Sequence, residues 1–337
     1  MIALPVDKTS TGFHATTGGN MAKKIIKQQF DAENDGFHGS WYPCPNTDTN
    51  CAMIIMLGDS SDDKLATCGA KWLHKQGFHA LAMSPASKDY GHHNYPLERF
   101  GKAIAFLKTQ GCDKIGIIGA STTGMLALVA ASYYNEISLT IAISPSDFIM
   151  EGFYQDGLDG MRERPGNNES TVTWQGQPLP YLPYAYRHPE YWQRIKEESR
   201  ATGNMIASRR MFDESERRHP LQEKEKIKVE NIRGRIVCIG AKDDALWDTC
   251  KYIERMKQRL AEHPHVNQFE AWIYERGTHF LFPESLLRMI SPVGAGLFVG
   301  GFFKAGRLYP KECLATRVNL DERLLNLLGQ WKATSKV

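Results

Sequence analysis

Short, unbroken apolar runs recur along this chain, and each gives way to a stretch with helical spacing. "AMIIMLG" at 52–58 leads into "KLATCGAKWLHKQG", whose apolar residues return every three or four places and which closes on glycine. A run of that length without polar alternation suits a strand buried on both faces, and a terminal glycine suits a helix end. "FHALAMSP" (78–85) precedes a second helix, "PLERFGKAIAFLKTQG" (96–111), with proline near its first turn and glycine at its close. Strand 114–118, helix 122–134 and strand "SLTIAISP" (138–145) continue the rhythm, and "IIKQQF" and "FHGSWYP" suggest an opening pair of strands. Such alternation predicts an α/β chain built on a doubly wound, mostly parallel sheet.

The rhythm stops after residue 146. Residues 147–225 carry prolines, aromatics and charges, as in "STVTWQGQPLPYLPYAYRHPEYW", and then a polar helix. Alternation resumes with strand "RIVCIG" (235–240), helix "LWDTCKYIERMKQRLAEH", strand "QFEAWIY" (268–274) and a last helix near "NLDERLLNLLGQW". The expected organisation is a flexible extension over 1–22, a core made of 23–146 and 226–337, and a cap inserted over 147–225. No internal repeat is present.

Composition removes several classes. A formal charge of +3, with both signs interspersed, gives no basic footprint for nucleic acid. "EKEKIKVEN" (223–231) alternates in sign and reads as a solvated surface. Seven cysteines without a C-x-x-C spacing fit reduced thiols in a cytoplasmic protein better than a disulfide framework. No apolar run approaches the ~18–20 residues of a membrane span. "PVGAGLFVGGFF" (292–303) is too short and glycine-rich for one, and the first residues lack an apolar signal core, so neither a span nor export is expected.

Ligands of open parallel sheets bind at the carboxyl ends of the strands. Three polar residues fall just past predicted strands: Ser121 after 114–118, Asp244 after 235–240 and His279 after 268–274. A serine hydroxyl needs a base to take its proton as it attacks, histidine titrates near neutrality, and a carboxylate behind the ring fixes its tautomer. In "KIGIIGASTTGMLALVAAS" (114–132) a sharp turn lifts Ser121 from the sheet and sets the Thr122 amide at a helix start, where it can bind an oxyanion. The usual pattern is G-x-S-x-G, whereas Thr123 stands at the second glycine's place and Gly124 follows. A serine capping the helix is the alternative. Asp243 and Asp244 both suit the acid role in "GAKDDALW"; counting from Ala241 selects Asp244, counting from Gly240 selects Asp243. A second oxyanion donor is expected from the amides of Asp59 or Ser60 in "LGDSSDD". His92 and His93 could pair on a metal, but no Cys or carboxylate stands at a useful spacing. No cofactor or metal is expected.

At these residues the chain resembles the C-terminal catalytic domain shared by acyl-CoA thioesterases and bile-acid-CoA:amino-acid N-acyltransferases, in its bacterial single-domain form. "YPLERFGKAIAFLK", "IGIIGASTTG", "TWQGQPLPYLPY", "KVENIRGRIVCIGAKDDALW" and "YERGTHF" carry the resemblance, in order, from about residue 50 onward. It implies an α/β-hydrolase fold, Ser121, Asp244 and His279 as a triad, and a cap built from 147–225. The stretch before the first core strand is too short for the β-sandwich that precedes this domain in the animal enzymes. The acyltransferases carry cysteine where this chain has Ser121, and serine favours transfer of the acyl group to water.

The expected activity is hydrolysis of an ester or thioester, acyl-CoA among the candidates. Trp174, Tyr181, Tyr184, Tyr186, Tyr191 and Trp192 suit either a hydrophobic substrate or the packing of the cap. Arg162, Arg164, Arg209 and Arg210 could meet an anionic group. The alternatives are an acyltransferase, a non-catalytic binding protein of the same fold, and an amidase or peptidase.

Overall fold

A computed structural model describes residues 27–45, 49–57, 60–84, 92–154, 164–292 and 294–334; the expected 1–22 extension lies outside them. Strand β3 (Cys51–Met56) shows why the chain forms layers. Ala52, Ile54 and Met56 join one apolar cluster, while Cys51, Met53 and Ile55 join another on the opposite face. With both faces covered, a polar side chain at any position would be buried, which accounts for the unbroken run.

Before it come β1 (Gln28–Phe30) and β2 (Gly39–Tyr42). After it come α1 (Lys64–Lys75), β4 (His79–Met83), β5 (Tyr95–Pro96), α2 (Glu98–Thr109), β6 (Lys114–Ala120), α3 (Thr122–Tyr133) and β7 (Ile137–Ile143). The chain then leaves the sheet for β8 (Glu151–Tyr154), β9 (Arg164–Ser170), β10 (Val172–Trp174), β11 (Gln177–Pro178), α4 (Glu190–Thr202) and α5 (Arg209–Arg218). It returns through β12 (Arg235–Ala241), α6 (Thr249–Glu262) and β13 (Phe269–Tyr274), and ends in α7 (Glu284–Ile290), α8 (Ala295–Phe302), α9 (Lys304–Leu308) and α10 (Pro310–Ala333).

Among the described residues the main sheet has eight strands in the order β1-β2-β4-β3-β6-β7-β12-β13. Strand β2 runs antiparallel to both its neighbours, and the remaining pairs are parallel. Leu107 of α2, Met125 of α3 and Tyr252 of α6 pack on one face; Leu73 of α1, Leu287 of α7 and Leu324 of α10 pack on the other. The sheet is therefore doubly wound, as the alternation predicts. Strands β7 and β12 are adjacent, so the 147–225 excursion departs from the neighbour of β6, the strand that leads to Ser121, and returns one strand further on.

Three expectations need correction. The run "EKEKIKVEN" is not simply a solvated surface: Glu225, Ile227 and Val229 are buried. Arg259 of α6 makes this possible by donating to Glu230 (2.6 Å) and Glu223 (2.6 Å), so the acids meet a guanidinium rather than water alone. The last helix begins at Pro310, well before the expected "NLDERLLNLLGQW", because proline at the first helical position loses no hydrogen bond. Helices α7 to α9 were not foreseen, since α8 is all-apolar and shows no period while α7 and α9 are only seven and five residues long. Among the described residues no single helix is long and apolar enough to cross a membrane.

Arg255 of α6 ties the excursion to the core. Its Nε donates to Asp147 (2.7 Å), just past β7, and its Nη1 to Glu216 of α5 (2.6 Å). Burial outweighs the guanidinium and holds the Asp147 carboxyl above its usual range. Replacing Arg255 with alanine strands Asp147 in the interior, so chemical denaturation of Arg255→Ala is expected to show a loss of about 3–5 kcal/mol. Adding Asp147→Asn should return part of it.

Candidate functional site

The turn between β6 and α3 is set by crowding. A β-carbon on Gly119 would lie 2.0 Å from the Thr123 carbonyl oxygen, and one on Gly124 would lie 2.8 Å from that of Ile143. Thr123 takes the place of the expected glycine and makes it useful. Its hydroxyl lies 3.0 Å from the Met56 carbonyl and 2.8 Å from that of Ala120, and accepts from the Ala120 N–H at 2.9 Å. The turn is thereby fastened to the end of β3.

Ser121 sits at the apex with φ 62° and ψ −131°. A residue with a β-carbon holds such angles at a cost of roughly 1–3 kcal/mol. The Ser121 N–H donates to the Ile143 carbonyl at 2.8 Å, which helps to fix the conformation. Its hydroxyl makes no capping bond to α3. The capping alternative therefore has no contact behind it. Thr122 begins the helix, at a position where an amide has no intrahelical acceptor.

Asp244 and His279 meet as the sequence suggests. Both are buried, and His279 Nδ1 lies 2.8 Å from Asp244 Oδ2 and 3.0 Å from Oδ1. Because the carboxylate accepts, Nδ1 carries the proton in the neutral ring, leaving Nε2 with a lone pair. Asp244 also accepts from the Leu246 N–H (2.9 Å) and the Thr249 hydroxyl (2.5 Å), so its orientation is fixed from the acid's own turn. His279 Nε2 is buried without a hydrogen-bond partner among the described residues.

The other aspartate has a separate place. Asp243 Oδ1 accepts the N–H groups of Gly277 (3.0 Å) and Thr278 (2.8 Å), holding the turn that presents His279. Burial pushes the Asp243 carboxyl above its usual range, with those two amides opposing.

Sequence reasoning missed two supports of this turn. Ser144, with φ 47°, donates its hydroxyl to the His279 carbonyl at 3.1 Å, and Thr278 has φ 63°. Trp247 meets the His279 ring edge-on, centroids 4.7 Å apart, and donates its indole N–H to the Ser144 carbonyl at 3.1 Å. Strained non-glycine residues leave no mark in a sequence, so only the tryptophan beside Asp244 offered a signal.

Ser121, Thr122 and His279 line one cavity of about 790 Å³. Of the six aromatics singled out from the excursion, Tyr184, Tyr191 and Trp192 line it. Trp174 instead packs on Tyr133 and Tyr134, and Tyr186 lies between Arg194 and Arg218. Phe280 and Phe282, just after His279, and Phe298 and Phe302, from the unforeseen α8, complete the apolar wall. Arg209 does not reach the cavity; it pairs with Asp248 and donates to the Asp244 carbonyl at 3.3 Å. Arg210 also lies off the cavity, Arg162 lies outside the described residues, and the cations on the wall are Lys196, Arg200 and Arg307.

Ser60 is a correction. It is exposed, its N–H donates to Asp63 at 3.3 Å, and it does not line the cavity. Asp63 caps α1, and that cap draws the amide away. Asp59 lies outside the described residues; Leu57, just before it, lines the cavity. A carboxylate does approach the histidine pair, because pairing of β10 with β5 brings Glu169 within 3.3 Å of His93 Nδ1. Even so, no group of three or more potential metal ligands gathers among the described residues.

A mostly parallel eight-stranded sheet, with a strained strand-to-helix turn at the end of a central strand, is the α/β-hydrolase fold. The chain belongs to a family whose model, described as "BAAT / Acyl-CoA thioester hydrolase C terminal", matches residues 95–305. Membership supports a hydrolase. Solved structures of similar fold include an esterase from Pyrococcus furiosus (14% identity, TM-score 0.45, covering 94% of this chain and 100% of that one). Another is the esterase domain of a Rhodothermus marinus protein (14% identity, TM-score 0.42, covering 82% and 95%). A puromycin-hydrolysing peptidase from Mycobacterium tuberculosis is 12% identical with TM-score 0.51, covering 94% of this chain and 41% of that one. At 12% identity the last of these bears on the fold alone. Among curated proteins no significant match was found.

The crowding at the turn is directly testable. Gly119→Ala puts a methyl group against backbone that cannot rotate away, and the expected loss is about 3 kcal/mol or more by thermal denaturation. A Gly119→Ala protein that melts like wild type would show that the turn is looser than these distances imply.

Proposed function

We propose that the chain is a serine hydrolase that cleaves esters or thioesters of hydrophobic acyl groups. One observation carries this above the others. An imidazole backed by a buried carboxylate keeps Nε2 without a partner, and it lines the same cavity as a serine held in a strained turn. Perturbed geometry of this kind gathers at functional sites because the surrounding structure has to maintain it.

In the proposed reaction Ser121 Oγ attacks the carbonyl carbon while His279 Nε2 takes its proton. The carbonyl oxygen becomes an oxyanion, met by the Thr122 amide and by a second amide, for which Asp59 is still a candidate. Collapse of the tetrahedral intermediate expels the alcohol or thiol, which leaves with the proton from His279, and the acyl group stays on Ser121. Water, deprotonated by His279, attacks that ester, and the acid leaves as Oγ regains its proton. Asp244 orients the imidazole and stabilises the imidazolium formed twice in each turnover.

The apolar wall of Tyr184, Tyr191, Phe280 and Phe298 supports a hydrophobic acyl group, and the family's description makes acyl-CoA thioesters the first to try. Residues 147–225, together with α7 to α9, act as the cap in this reading.

A fluorophosphonate probe is expected to label Ser121, and Ser121→Ala to lose both the label and ~10³-fold or more in rate. Asp244→Asn should cost on the order of 10²–10⁴-fold, since it offers the imidazole the wrong tautomer. Asp243→Asn should stay within about tenfold, because an amide oxygen accepts the same two backbone bonds. The reverse order for the two aspartates would overturn the assignment of the acid. Turnover of chromogenic esters and acyl-CoA, with and without an amine acceptor, separates hydrolysis from acyl transfer. An unlabelled, inactive wild-type protein would end the hydrolase reading.

A further inference from the structure

Helix α8, with the sequence AGLFVGGF, has no polar side chain on any face, yet part of it meets solvent: Leu297 is 80% exposed. An all-apolar helix ordinarily belongs to an interior or lies against a partner. Met205, whose N–H donates to the Phe302 carbonyl at 2.8 Å, is 63% exposed, and Leu308 at the end of α9 is 58% exposed. These side chains stand where the α4–α5 connection meets α8 and α9. The same segments supply Met205, Phe298, Gly301 and Arg307 to the cavity lining, so the exposed side chains edge its mouth.

Cations stand on the adjoining α4 and α9, while the exposed Glu197 of α4 is engaged by Arg194. Lys196, Arg200, Lys304 and Arg307 are all exposed. None pairs with a carboxylate among the described residues. Arg307 donates to the Gly300 and Gly203 carbonyls, at 2.6 Å each, which are neutral groups and leave its charge uncompensated. Apolar side chains beside cations that meet no carboxylate among the described residues complement a surface that offers anionic groups above an apolar interior.

We propose that this rim docks on an anionic lipid surface. Leu297, Met205 and Leu308 enter between the headgroups, the four cations meet the phosphates, and an amphiphilic ester passes from that surface into the cavity. The last clause rests on the proposed function; the docking does not. A second copy of the chain suits the rim less well, because an isologous pairing would set these cations against their own counterparts.

Vesicle flotation tests it, with vesicles of phosphatidylcholine alone and of phosphatidylcholine mixed with phosphatidylglycerol. Wild type and Ser121→Ala are both expected to float with the mixed vesicles at low salt, and to release as salt rises. Leu297→Asp should lower the apparent partition by about tenfold and Lys304→Glu by about fivefold. Neither residue lines the cavity, so both variants should keep the wild-type melting temperature and turnover of a short, water-soluble ester. The proposal is overturned if wild type ignores the mixed vesicles, if it binds neutral ones equally, or if Leu297→Asp floats like wild type. A dimer that Leu297→Asp dissolves would also overturn it, in favour of self-association. Wild type that floats but hydrolyses nothing refutes the hydrolase reading and leaves the docking intact.

Discussion

Only the absence of two β-carbons lets the backbone of β6 turn so sharply into α3. Gly119 lets the Thr123 carbonyl pass where a methyl group would stand, and Gly124 does the same for the carbonyl at the end of β7. Everything at the site inherits its position from that approach. Ser121 is pushed into angles that cost roughly 1–3 kcal/mol, and the cost is met by several backbone and Thr123 hydrogen bonds worth about 0.5–1.5 kcal/mol each. Strain of this size survives only where neighbours over-determine the conformation. Here they include β3, β6 and β7 together, through Met56, Ala120 and Ile143.

The same logic extends to the histidine. Its turn is tied from three directions: Asp243 grips the Gly277 and Thr278 amides, Ser144 reaches the His279 carbonyl, and Asp244 holds the ring. The two adjacent aspartates thus divide the work, one holding backbone and the other the imidazole. Counting along the sequence favoured Asp244 but kept Asp243 as an alternative, because both follow β12 within reach. What separates them is direction, set by the turn after β12 in which the Asp244 N–H donates to the Ala241 carbonyl at 3.3 Å.

Legibility followed burial and locality. Strands covered on both faces read as unbroken apolar runs, and helices on their flanks read by their period, so the doubly wound core was visible from composition along the chain. The turn at Ser121 was visible because glycine and serine mark it, although the departure at Thr123 looked like a weakness and is instead a fastening. Elements held by non-local pairing were not visible. Strand β10 pairs with the two residues of β5, far away in the chain, and that pairing is what brings Glu169 to His93. Ser60 was misplaced for a related reason: its amide answers to the cap of α1, and a cap competes for exactly the N–H groups that an oxyanion site needs.

Helix α8 marks a different limit. A helix declares itself in a sequence by the contrast between a wet face and a dry one, and this one has no wet face to show. Its dry side is used twice. Val299 faces inward, Phe298, Gly301 and Phe302 form cavity wall, and Leu297 remains outside. The joint to the excursion mixes main chain and side chain, with the Met205 N–H on the Phe302 carbonyl, the Lys304 N–H on the Asn204 side-chain oxygen, and the Arg307 guanidinium on the Gly203 carbonyl. Only the first of these bonds is indifferent to side chain, so the shape of the mouth depends on Asn204 and Arg307 as well as on backbone, while the aromatic wall behind it is held separately by ring contacts such as those of Phe280 with Phe298 and Phe302.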